Sequence, residues 1–435
     1  MIDFDRSVLL KIKRANTDWW INEKAVVGAN GKTYIAYMTD MGEIHIKELD
    51  AKCSKTPSRD VRLCTLNCNY ADEHNAPSIC ILENGKIIVA YTGHSQGVKA
   101  LTYRITEKPY DILSFGAPRS LTFPGKVTYA QIFENTVRGE VWVFSRVSGV
   151  TWQFYYSKDE GKTWSEPTKF LESDKGGLFY LNVRKQYLKS ADREQWFFAL
   201  YGHPRISKDH TIHSGIFSSN GDILNTDGSP TGQNLFTGGH IDIEKLDTVY
   251  AAPEGETVRL LDVSPTLPLR VGFAPFRLAN ELAPSPDLPE YRSATFQDGK
   301  WHISAPICKA GEFLSHDIVD GSQTYLGGMA YYYGVAEAGL NPNVPAETFT
   351  NRIYIARFDG KDRVLESYCS KDGGAHYELE QTIRRISGEQ GKKIWRPTVP
   401  IHAQDNLPVY WHEGYYTAHT GGWHSDATMY IEYDD

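Results

Sequence analysis

Glycine-bearing tight turns punctuate this chain, and each separates two short runs of β-branched and aromatic residues. The turns are Asn30-Gly31, Asn84-Gly85, Arg138-Gly139, Asn220-Gly221, Glu254-Gly255, Asp298-Gly299 and Asp359-Gly360. An X-Gly pair supplies the positive φ that a two-residue hairpin needs, so this punctuation predicts strands and excludes long helices. Several hairpins share one form. Pro77-Ser-Ile-Cys-Ile-Leu leads through Asn84-Gly85 to Lys86-Ile-Ile-Val-Ala-Tyr, and Tyr129-Ala-Gln-Ile-Phe leads through Arg138-Gly139 to Glu140-Val-Trp-Val-Phe. Phe179 to Val183 pairs with Gln195 to Tyr201, Val258 to Val263 with Leu269 to Phe273, and Thr398 to Ile401 with Leu407 to Trp411. The units recur roughly every 50–60 residues, a period that in an all-β chain marks a propeller. One four-stranded blade cannot bury both of its faces, so blades stack around an axis. Units between Trp19 and Tyr433 predict a seven-bladed β-propeller occupying residues 1–435 as a single domain, with its chain ends close together. Six or eight blades fit the same pattern, and a pair of β-sandwiches is the competing architecture. No Pro/Ser-rich linker divides the chain, and Leu282-Ala-Pro-Ser-Pro-Asp-Leu-Pro289 reads as a surface loop.

Composition narrows the partners. A net charge of -8 with 23% charged residues disfavours a nucleic-acid surface. An acidic polymer can still be held by a local cluster of Arg and His. Tyr (26) and Trp (10) are abundant; they are good strand formers, and their flat apolar faces with polar edges suit sugar rings. There is no run of about 18 apolar residues, so no membrane span is predicted. Met1 to Arg14 holds only Val8-Leu9-Leu10 as an apolar stretch, which is not a signal peptide, so an exported protein would need a leader beyond this sequence. The six cysteines, Cys53, Cys64, Cys68, Cys80, Cys308 and Cys369, follow neither a zinc-ribbon nor a disulfide spacing and are expected to be buried free thiols. A monomer is expected.

Ser157-Lys-Asp-Glu-Gly-Lys-Thr-Trp164 follows an aromatic strand and resembles the Asp-box turn of sialidase-like propellers. Ser370-Lys-Asp-Gly-Gly-Ala-His-Tyr377 is a worn second copy. Asp159 and Asp372 are therefore read as turn-forming residues, not catalysts.

His-Glu-x-x-His, Gly-rich phosphate-loop and Gly-x-Ser-x-Gly patterns are absent. What remains is a set of His, Tyr and Arg at equivalent hairpin ends. Asp72-Glu-His74-Asn75-Ala-Pro77 opens one hairpin and Tyr91-Thr-Gly-His94 closes it, so both His are expected side by side at one propeller mouth. The next unit has Tyr129 at its start and Arg146 at its end, and the one after closes with Tyr201-Gly-His203-Pro-Arg205. A lone His is more often structural than catalytic; a set at matching hairpin ends points to a site.

The run Asp-Glu-His-Asn-Ala-Pro, the Asn-Gly hairpin and Tyr-Thr-Gly-His resemble the propeller lyases with neuraminidase-type (BNR) repeats, the ulvan lyase and rhamnose–glucuronate lyase group. The specific part of the resemblance is residues 72–95, with support from 129–146. In that family two His about twenty residues apart lie near a Tyr, and an Arg follows the Tyr by sixteen or seventeen. His74 with His94 and Tyr129 with Arg146 match those spacings, with Tyr180 as the rival for Tyr129. The resemblance implies β-elimination of a rhamnose–glucuronate linkage, giving an unsaturated uronate. Arg146 would take the substrate carboxylate, one of His74 and His94 would act as base, and Tyr129 would donate to the leaving group. Asn75, Tyr180, His203 and Arg205 would contact substrate, which is an acidic polysaccharide. It also implies secretion or a periplasmic location. No cofactor is required by such chemistry, and a structural metal drawing on His210, His213, His240 or Cys308 is left open. A glycoside hydrolase of sialidase-like or rhamnosidase-like type and a non-catalytic carbohydrate-binding propeller are the alternatives. The first would call for a Tyr–Glu pair and three Arg around a carboxylate.

Overall fold

The computed structural model describes residues 7–17, 21, 23–50, 58–65, 73–94, 97–172, 178–186, 194–204, 207, 209–277, 289–314, 325–332, 352–403, 409–416 and 427–434. Its strands form seven antiparallel sheets, the blades of a β-propeller. Among the described residues the helical pieces are single 3-10 turns. None is long and apolar enough to cross a membrane.

In chain order, the first two strands of blade II are Ser78–Ile81 and Ile87–Tyr91. In blade III they are Val127–Asn135 and Glu140–Val147, and in blade IV Phe179–Gln186 and Gln195–Gly202. Blade V has Glu256–Ser264 and Arg270–Arg277, and blade VI has Gly328–Tyr331 and Arg352–Phe358. Blade I uses a split first strand, Ala15–Asn16 with Ala25–Val27, and both parts pair with Lys32–Thr39. Blade VII begins at Lys393–Thr398 and Tyr410–Gly414. Its third strand, Thr428–Asp434, pairs with Ser7–Lys13 from the N-terminus, register Ser7 to Asp434, so the two ends of the chain close the ring together.

The hairpin turns read from sequence hold: Gly31, Gly85, Gly139, Gly221, Gly299 and Gly360 all have positive φ. Gly255 also has positive φ, but Glu254-Gly255 carries the chain from blade IV into blade V and closes no hairpin. First strands of neighbouring blades pack side by side around the axis. Gln131 bridges two of them: its Nε2 donates to Leu181 O (3.0 Å) and its Oε1 accepts from Val183 N (2.9 Å). Between blades III and IV the buried Trp142 and Trp196 stack at 4.4 Å. Rings of that size dominate the apolar area the interface removes from water.

Nearer the axis the packing turns polar. The Arg184 guanidinium donates to Ile21 O (3.0 Å) and lies 3.7 Å from the Asp262 carboxylate. Burial pushes the Glu23 carboxyl up to about 7, against the pull of Arg184 and Lys185.

Both Ser-x-Asp turns adopt one geometry. Ser157 Oγ donates to Asp159 and accepts from Gly161 N, and Asp159 accepts from Thr163 N. Ser370, Asp372, Gly374 and His376 repeat the pattern. Trp164 packs edge-on against Tyr103. Cys64, Cys80, Cys308 and Cys369 are free but half-buried, short of the full burial expected; Cys64 lies in the outermost strand of blade I, Cys80 in the first strand of blade II and Cys369 at the end of the third strand of blade VI. Cys53, Cys68 and residues 282–288 of the Pro-rich loop lie outside the described residues.

Candidate active site at the propeller mouth

A blade's first strand starts, and its second strand ends, at the same face of the ring. Blades II, III and IV each place aromatic and basic side chains at that face, and the side chains converge. His74 sits in the 3-10 turn Glu73–Asn75 just before Ser78–Ile81, and His94 follows the end of Ile87–Tyr91. Their rings stack, with centroids 4.1 Å apart and planes within 19°. Asn75 holds them in register: its Oδ1 accepts from the backbone amide of His94. Asn75 is itself buried, so it positions the pair from beneath.

Tyr129 comes from blade III, and its placement depends on a bulge. The register between the first two strands slips between Thr128 and Gln131, and Tyr129 takes φ 62°. A bulky side chain in that region costs of order 1–3 kcal/mol and persists where the surroundings over-determine it, often at functional sites. A bulge bends the strand and re-aims one side chain. Here it turns the Tyr129 ring to 5.7 Å from His74, stacked on Trp152 at 6.0 Å. Trp152 is fixed by its indole N–H, which donates to Phe179 O.

Arg146 pairs across strands with Thr128 and Trp152. Its guanidinium lies 4.6 Å from the Tyr129 ring and 5.1 Å from Tyr180. It is 4% exposed, and its Nε and Nη1 have no hydrogen-bond partner among the described residues. Tyr180 in turn stacks on Tyr201 (5.2 Å) and His203 (5.9 Å). Thus His74, His94, Tyr129, Arg146, Tyr180 and His203 form one continuous cluster across three blades. Arg205 lies outside the described residues.

Two basic residues that sequence reading passed over belong with this cluster. Burial pushes the Tyr201 phenol up, and the charges of Arg259, Arg396 and Arg146 oppose it, so all three guanidinium groups lie near enough for their charge to act on one phenol. Arg259 is on the first strand of blade V, 5.0 Å from the Tyr325 ring. Arg396 is on the first strand of blade VII, at a second slip in register, with φ 48°. The only sequence signal for them is position: each lies a few residues into a first strand, as Tyr129 does in blade III.

The groups set aside for a metal are dispersed. His213 pairs with Asp209 (3.1 Å) and His210 with Thr257 (3.0 Å). Among the described residues no group of three or more His, Cys, Asp or Glu side chains is gathered to hold a metal.

Residues 32–255, which contain every residue of the cluster from blades II to IV, match the BNR repeat-containing family. The chain belongs to that family. A curated relative, the ulvan lyase of Nonlabens ulvanivorans, is 25% identical over 171 residues, which is 33% of this chain and 34% of that protein. The match therefore spans about a third of the relative's length. Among solved structures, an ulvan lyase of a new polysaccharide lyase family superposes with a TM-score of 0.66 at 14% identity, over 97% of this chain and 94% of the other. A second ulvan lyase structure, bound to -[GlcA(1-4)Rha3S]-, gives 0.63 at 14% identity over 97% and 96%. A further polysaccharide lyase gives 0.54 at 10% identity over 95% and 90%. At these identities the likeness speaks for the seven-bladed fold.

Proposed function

We propose that this chain is a polysaccharide lyase that cleaves an acidic, uronate-containing polymer by β-elimination, with a rhamnose–glucuronate linkage as the bond attacked. The observation that carries the reading is the contact chain His94–His74–Tyr129–Arg146, which puts two imidazoles, a phenol and a buried guanidinium within one reach. Membership of the BNR repeat-containing family and the similarity of part of the chain to an ulvan lyase support it.

The chemistry needs those groups. The C5 proton of a uronate leaves only if charge can spread into the carboxyl group, and in this reading Arg146 stabilises that charge as it develops. One of His74 and His94 takes the C5 proton, and the other orients the sugar. The C4–O4 bond then breaks, a C4–C5 double bond forms, and Tyr129 returns a proton to the departing O4. Side chains of this chain handle every proton and charge in the scheme. Tyr180 and His203 extend the aromatic floor for neighbouring sugars, and Arg259 and Arg396 add positive potential that draws a polyanion to the mouth. Such polymers are met outside the cytoplasm, so secretion or a periplasmic location goes with the reading.

Incubation with a panel of uronate polysaccharides, ulvan-type and rhamnosyl-glucuronate types included, tests it. A lyase produces an unsaturated uronate, seen by far-ultraviolet absorbance and by product mass. New reducing ends without that absorbance would establish a hydrolase, and binding without cleavage a lectin.

A further inference from the structure

We propose that blades V and VI enclose a binding site for a small monovalent anion of the halide class, with Arg270 as its charge partner. Arg270 starts the second strand of blade V, at the face opposite the mouth, and is 0% exposed. Its Nε, Nη1 and Nη2 all lack a hydrogen-bond partner among the described residues. Thr295 stands directly opposite Arg270 on the third strand, and its Oγ1 is likewise buried without a partner. Two adjacent groups on one face thus offer unused donors: a guanidinium, which can only donate, and a hydroxyl, which is free to turn its O–H to the same point.

Blade VI seals this face. A Cβ on Gly272 would fall 1.9 Å from Met329 Cε, and one on Gly374 would fall 2.6 Å from Thr295 Oγ1, so glycine at both positions lets the blades close. Over the same face Tyr331 and Tyr377 hydrogen-bond Ser293 Oγ, at 2.6 and 3.3 Å. Arg270 is near enough that its charge acts on both phenols, yet burial outweighs it and raises both, so neither phenol supplies a counter-charge. The nearby carboxylates are engaged elsewhere. Asp262 accepts from Tyr331 N (2.9 Å) and faces Arg184, and Asp372 is held within its own turn by Ser370 and His376. Burying an ion without a partner costs several kcal/mol. A water molecule would satisfy donors but not charge. A sulfate or phosphate brings two charges and a larger body to one guanidinium in a closed interface. A singly charged, easily dehydrated anion matches both the charge and the donor set.

The test uses the full chain in sodium chloride, sodium bromide and sodium methanesulfonate at equal ionic strength. Chloride and bromide should raise the melting temperature by a few degrees over methanesulfonate, saturating with concentration as a bound ligand does. Bromide-grown crystals should show anomalous density between Arg270 and Thr295 Oγ1. Arg270→Met should abolish the halide increment. If that variant does not fold, Thr295→Val should weaken the halide dependence instead. Equal melting in all three salts, absence of the density, or a carboxylate of the chain itself against Arg270 overturns the proposal. Density without a saturable stability effect marks an adventitious ion only and overturns it as well.

Discussion

Replacing Arg146 by Met should separate function from fold. The guanidinium is almost fully buried, without a carboxylate partner among the described residues, and rests on two rings at 4.6 and 5.1 Å. Each cation–π contact contributes about 0.5–2 kcal/mol, while desolvating an unpaired guanidinium costs several kcal/mol. The two nearly cancel, and the methionine chain refills part of the volume. The variant should therefore melt within a few degrees of wild type, or above it. Activity should behave differently. If Arg146 stabilises the developing enolate more than the ground-state carboxylate, its loss removes about 3 kcal/mol of transition-state stabilisation, roughly a 10²-fold fall. The fall should appear in kcat as well as KM, because the interaction strengthens along the reaction. Arg146→Lys keeps the charge without the planar two-point contact and should recover only part. The assay is unsaturated-uronate absorbance on the natural polymer, alongside thermal melting. A wild-type rate in Arg146→Met would place the carboxylate clamp elsewhere, with Arg205 the next to test. A large loss of melting temperature would make Arg146 a structural residue.

His74→Ala and His94→Ala should each lower turnover by roughly 10²-fold with folding intact, checked by circular dichroism; full activity in both would remove this hairpin from catalysis. Tyr129→Phe keeps the ring, the bulge and the guanidinium contact but loses the hydroxyl, so kcat should fall at unchanged melting temperature; if only Tyr180→Phe has that effect, Tyr180 is the donor. The Glu23 carboxyl, pushed up to about 7 by burial from an ordinary 4.5, favours the folded state most below its unfolded pKa, and that contribution is lost as pH rises through 7. Glu23→Gln cannot ionise, so its stability should gain on wild type between pH 5 and pH 8; urea midpoints across that range check the sign, and parallel curves would refute it.

The chain announced its blades because hairpin turns are local. Asn84-Gly85 or Arg138-Gly139 needs only two residues and two flanking runs to be read, and the first two strands of blades II and III follow from them, while those of blades IV and V follow from their paired apolar runs. The mouth was legible for the same reason, since His74, His94, Tyr129 and Arg146 lie at or next to strand ends whose positions the turns dictate. What escaped notice depends on contacts distant in sequence. Ser7–Lys13 becomes a strand only because Thr428–Asp434 presents a free edge to it. Blade VI begins with the short Gly328–Tyr331, whose leading Gly327-Gly328 resembles a loop, and its place is set by Met329 lying on Gly272 of blade V. Arg259 and Arg396 look like ordinary mid-strand charges, and nothing local predicts a positive φ at Tyr129 or Arg396, because neither position carries glycine.

The N-terminal strand joins the seventh blade at its outermost position, with the third strand between it and the axis side of the sheet. Ser7 and Asp434, paired with each other, thus lie in the outer half of the blade, toward the face opposite the His–Tyr–Arg cluster. The same arrangement makes the circle a clasp: cutting the chain after Lys13 frees one strand, bares the edge of Thr428–Asp434, and turns a closed molecule into one prone to pair with its neighbours.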